Sequence, residues 1–75
     1  MAIIRLTGWR KGLEKVSLSY LQMNTLGVGL KEAKENVDAL LRDEPVLLQV
    51  ENAEVALAFH TQATRIGVIC TIEGL

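Results

Sequence analysis

The sequence holds a single cysteine, Cys70. That excludes an intramolecular disulfide and a cysteine-based metal cluster. Cys70 stands in the apolar run VICTI, the setting of a buried structural thiol; a reactive thiol needs polar, partly exposed surroundings. Aromatic residues are as scarce: Trp9, Tyr20 and Phe59 are the only three. The core must therefore be aliphatic, and a hydrophobic share of 49% over 75 residues is ample for one small domain spanning residues 1–75. The one histidine, His60, lies among Gln62, Thr64 and other polar groups, so we expect it to be solvent-exposed. A lone imidazole with no evident Cys or Ser partner is a poor basis for a catalytic triad. One His, one Cys and scattered carboxylates give no metal-ligand spacing. We expect no enzyme, no metal site and no cofactor. No apolar stretch approaches the ~20 residues that span a bilayer. Met1 is followed by a short strand-like run, where a signal peptide would carry charge and then a long apolar segment. A soluble, cytoplasmic protein is expected.

Excess charge is also missing. The net charge is -1, which gives no general pull toward nucleic acid or anionic lipid. The distribution is uneven, however. Residues 1–31 carry Arg5, Arg10, Lys11, Lys15 and Lys31 against Glu14, whereas residues 32–75 carry three basic groups against eight acids. Such an asymmetry can orient an encounter with a partner, although solvated helix faces account for most of it. The loop-like WRK at 9–11 sets a tryptophan beside two cations. That arrangement suits either contact with an anionic partner or a ring folded over a core edge.

What is present is strong periodicity. AIIRLT (2–7) reads as a strand and GWRKG (8–12) as a loop. From Leu13 to Met23 the apolar residues recur at spacings of three and four, which predicts a helix. They cover more than half its circumference: Leu18 and Leu21 make one side, and Val16, Tyr20 and Met23 another. GLKEAKENVDALLRDE (29–44) predicts a second helix with the stripe Leu30, Ala33, Val37, Leu40 and Leu41, ended by Pro45. Lys31–Glu35 and Lys34–Asp38 are four apart, and each pair stabilises that helix by a few tenths of a kcal/mol at most. PVLLQV (45–50) reads as a strand. Asn52 can cap a third helix carrying Val55, Phe59, Ala63 and Ile66 on one face, Gly67 suits the left-handed position after it, and VICTI (68–72) is the last strand. The expected fold is α+β, a two-layer βααβαβ arrangement with a three-stranded sheet covered on one face by three helices. The last two strands should be parallel, with the first antiparallel between or beside them.

The stretch GVGLK (27–31) superficially suggests a phosphate cradle. A P-loop needs four residues between its first glycine and the Gly-Lys pair, and it comes after a strand. Here the glycines come after a helix, and the third glycine of a dinucleotide fingerprint is missing. Gly27 instead suits a left-handed helix end, and Gly29 a turn into the next helix.

KVSLSYLQMNTLGVGLKEAKENVD, residues 15–38, resembles the C-terminal domain of the bacterial large-subunit ribosomal stalk protein. The matching positions are Lys15, Val16, Gly27, Gly29, Leu30, Lys31, Glu32, Ala33 and Lys34, and the element order agrees across nearly the whole chain. In that family the domain recruits translational GTPases through the first helix, the glycine hinge and the start of the second helix. The resemblance therefore implies a non-enzymatic protein-interaction domain, with Lys15, Val16, Ser19, Tyr20, Met23, Gly29 and Lys34 at the contact surface. A translational GTPase or a second copy of the chain is the implied partner, with no membrane and no direct nucleic-acid contact. This sequence departs from the family at Tyr20 and Met23, where basic residues are usual, and at Ser19, where an aliphatic one is; losing two cations weakens contact with acidic surfaces. The family's N-terminal dimerisation domain and linker have no counterpart here, which implies a stand-alone domain. RIGVICTIE (65–73) also resembles the end of Clp protease adaptor S, which shares the fold. That adaptor's Asn-Asp-Asp and Thr-Pro signature and its helix histidine are absent from residues 7–40. The alternatives are a role delivering or modulating the substrates of a protease and, behind it, a small enzyme.

Overall fold

The computed structural model describes residues 1–74, so only Leu75 of the expected domain lies outside the described residues. Six elements run in the expected order: β1 (Ala2–Trp9), α1 (Lys15–Leu26), α2 (Leu30–Leu41), β2 (Val46–Val50), α3 (Ala53–Arg65) and β3 (Val68–Glu73). The sheet order is β2-β1-β3, with both neighbours antiparallel to β1. β1 is therefore central, and β2 and β3 run parallel to each other on its two sides.

Alternation assigns the two faces of the sheet. Ala2, Ile4 and Leu6 on β1, Val46, Leu48 and Val50 on β2, and Val68 on β3 are buried. Arg5, Thr7, Leu47, Gln49, Ile69 and Thr71 point the other way and are exposed. The helices thus cover one face, and Phe59 of α3 is the one fully buried aromatic in an otherwise aliphatic core. α1 packs chiefly on α2 and α3 rather than directly on the strands. Its Leu18 and Leu21 enter the core between them.

β1 runs two residues further than AIIRLT. A register shift between Leu6 and Gly8 leaves Thr7 as an inserted residue, after which Gly8 pairs with Ile69 and Trp9 with Val68. A bulge of this kind bends the strand and re-aims the residues beyond it. Trp9 consequently falls opposite buried Val68 instead of continuing the Ile3–Arg5–Thr7 row. α2 stops at Leu41, well short of Pro45, because Asp43 takes a positive φ of 61° and the Glu44 N–H turns back to the Ala39 carbonyl at 2.9 Å. Asn52 caps α3 as expected, its Oδ1 accepting from the N–H groups of Glu54 (2.8 Å) and Val55 (3.2 Å).

The glycines join the two helices. Gly27 ends α1 at φ 70°, and the Val28 N–H reaches the Gln22 carbonyl at 3.3 Å. Gly29 is the α2 N-cap at φ -68° and ψ 157°, an extended conformation open to any residue, so no glycine is required to make the turn there. His60 differs from expectation. It is half-buried, because α3 lies over β3, and its Nε2 sits 3.1 Å from the Cys70 carbonyl oxygen. A carbonyl only accepts, so this bond holds the imidazole with its proton on Nε2. Among the described residues no helix is long and apolar enough to cross a membrane.

Candidate functional site: the groove between the first two helices

α1 is unusual for a surface helix because its apolar residues lie all round it. Leu18 and Leu21 satisfy the core, yet Val16 is 69% exposed and Tyr20 57%. Leu30, at the first position of α2, is 50% exposed, and Met23 is half-buried beside it. Together with Ser19 and Lys34 these side chains line a groove between α1 and α2. The groove continues toward Lys15, Val37, Asp38 and Leu41. The two depressions hold about 280 and 270 Å³, below the ~300–1,000 Å³ of a usual small-molecule site. They suit protruding side chains better than a buried ligand. On the other flank of α1 a second groove is lined by Ser17, Asn24, Gln62 and Ile66, and Tyr20 forms the ridge between the two.

Lys15 and Lys34 line the first groove, Lys34 where its two depressions meet, and Asp38 adds a carboxylate at the Lys15 end. Lys15 is the first residue of α1, and no acid lies in that helix's first turn. A cation there opposes the helix dipole, at a cost of a few tenths of a kcal/mol. Neither Lys31–Glu35 nor Lys34–Asp38 closes to an ion pair; among the described residues only Arg5–Glu73 and Arg42–Glu44 do. Lys15 and Lys34 are thus both exposed and unpaired beside apolar surface. The Ser19 hydroxyl donates to the Lys15 carbonyl of its own helix at 3.4 Å.

Six of the residues singled out from the sequence therefore meet here: Lys15, Val16, Ser19, Tyr20, Met23 and Lys34. Gly29 does not line the groove; it holds the exposed N-cap next to Leu30. Leu30 belongs to the apolar stripe of α2 by spacing, but it lies at the helix start, beyond the cover that buries Ala33, Val37 and Leu40.

Beneath the groove lies a feature that apolar periodicity passes over. Gln22 is fully buried. Its Nε2 donates to the Leu18 carbonyl (3.3 Å) and across to the Ala33 carbonyl of α2 (3.1 Å), and its Oε1 accepts from Asn36 Nδ2 (2.8 Å). Its signal in the sequence is position: four residues after Leu18 and one after Leu21, Gln22 belongs to the buried side of α1. Cys70 is half-buried; burial pushes its thiol above the ordinary value, and a hydrogen bond with Thr64 opposes that rise.

Compared with models of known protein families the chain matches none, and no curated protein matches it.

Proposed function

We propose that this chain is a non-enzymatic protein-interaction domain whose α1–α2 groove grips an apolar, acid-flanked segment of a partner protein. The observation that carries this reading is the exposed strip of Val16, Tyr20 and Leu30 beside two unpaired lysines, Lys15 and Lys34. A monomer gains nothing from leaving three large apolar side chains in water on one contiguous strip, whereas an interface core is enriched in such residues. The apolar strip supplies contact area, and Lys15 and Lys34 supply attraction and orientation toward carboxylates. The resemblance to the ribosomal stalk domain supports a cytoplasmic translational GTPase as the partner class, because it places the contact on these same two helices.

The test is a titration of the isotope-labelled protein with a purified translation elongation factor. Saturable shifts at Val16, Tyr20, Met23 and Leu30 that weaken with added salt are expected. Tyr20→Arg combined with Met23→Lys should abolish them while leaving the melting temperature within a few degrees. Shifts at these residues that depend only on the protein's own concentration would make the partner a second copy. A large loss of stability in the double variant would return the strip to the core and end the proposal.

A further inference from the structure

Gln22 is the only polar side chain fully buried among the described residues, and it lies with Leu18 and Leu21 on the buried side of α1. A leucine would fill a similar volume there, so packing alone does not call for an amide. What the amide adds is direction. Apolar packing of α1 on α2 is non-directional, and it tolerates a slide of one helix along the other. Hydrogen bonds from Gln22 to the Ala33 carbonyl (3.1 Å) and from Asn36 to Gln22 (2.8 Å) are all made in one register and are broken together in any other. The ends of this tie adjoin the groove walls. Gln22 immediately precedes Met23, and Ala33 immediately precedes Lys34.

We infer that Gln22 and Asn36 are positioning residues that fix the register of α1 against α2, and through it the shape of the groove between Tyr20, Met23, Leu30 and Lys34. The geometric part of this inference stands on the hydrogen bonds; its consequence for binding rests on the proposed role of the groove. The tie touches no partner. It acts by holding the two walls at one separation, so that an incoming segment meets a groove already formed.

The experiment uses the full chain with Gln22→Leu, which removes the directional bonds and keeps the volume, and with Asn36→Ala, which removes one bond at a half-exposed position. Three quantities are read: nuclear Overhauser contacts from Tyr20 and Met23 to Leu30 and Lys34, amide exchange across residues 33–37, and affinity for a labelled helical peptide with leucines on one face and glutamates on the other. Gln22→Leu should melt no lower than the parent, yet weaken or split the cross-groove contacts, speed exchange and bind the peptide about fivefold more weakly. Asn36→Ala should shift all three in the same direction by less, and it carries the test if Gln22→Leu does not fold. Unchanged contacts and exchange in a folded variant would overturn the inference and leave Gln22 as filler. Failure of the parent protein to bind the peptide would count against the groove's proposed role alone, because the contacts and exchange judge the tie independently.

Discussion

Leu18 and Tyr20 lie two positions apart on α1 and face opposite ways, so replacing each with alanine separates core from contact surface. Leu18 is 0% exposed and belongs to the main apolar cluster, whereas Tyr20 is 57% exposed. Leu18→Ala loses the transfer energy of the buried side chain and leaves a cavity that α2 and α3 only partly close, about 3 kcal/mol of stability. Tyr20→Ala removes a ring already largely in water, which should cost no more than about 1 kcal/mol. Alanine improves helix propensity at both positions by at most a few tenths of a kcal/mol, so propensity does not distinguish them. In a domain of this size about 1 kcal/mol moves the melting temperature by about 4–8 °C. Leu18→Ala should therefore melt roughly 12–24 °C below the parent, and Tyr20→Ala within roughly 8 °C of it. Thermal melts by circular dichroism, backed by urea titrations with an unchanged slope, read both values. The partner titration should show the reverse order, with Tyr20→Ala losing affinity and Leu18→Ala retaining it at a temperature where it is folded. A Tyr20→Ala loss comparable to that of Leu18→Ala would refute the outward placement of the strip, and with it the groove as a free surface.

Two further outcomes test other parts of the structure. Gly67 and Gly27 both have positive φ, +104° and +70°, but a Cβ at Gly67 would lie 3.0 Å from the Leu13 Cα while nothing lies within 4 Å at Gly27. Gly67→Ala should thus cost about 3 kcal/mol or more and Gly27→Ala about 1 kcal/mol in urea titrations, and equal costs would refute the steric argument. Burial disfavours the Cys70 thiolate in the folded state, so its pKa is higher folded than unfolded. That contribution is whole below the unfolded thiol's pKa and is lost as pH rises from there through the folded one. Unfolding titrations between about pH 7 and pH 10 should show stability falling more steeply for the parent than for Cys70→Ala; parallel pH profiles would refute it.

Much of the fold was legible because apolar spacing reports directly on burial. The short strand-like runs at 2–7, 45–50 and 68–72 and the Phe59–Ala63 face of α3 needed no tertiary information. Element ends were less legible. The continuation of β1 through Gly8 and Trp9 depends on a bulge that only the pairing with β3 creates, and the end of α2 depends on the backbone of Asp43 rather than on Pro45. His60 read as exposed because its sequence neighbours are polar, yet β3, the next element along the chain, folds back under α3 and covers half of it. The candidate site was legible as two sides of α1, since Leu18 and Leu21 separate from Val16, Tyr20 and Met23 on the wheel. Leu30 was not, because a stripe does not say where along a helix its cover begins.

The amino-acid sequence by itself determined the element order, the aliphatic core, the caps at Asn52 and Gly27, and the excess of apolar surface on α1. These come from local conformation and from periodicity, which each segment carries within itself. Only the tertiary structure decided which of those apolar residues stay in water, that Lys15 and Lys34 remain unpaired beside them, and that Gln22 spends its amide on α2. Those outcomes depend on which helix lies against which, and at what register, and hydrogen bonds between residues 11 and 14 positions apart exist only once α1 and α2 have met.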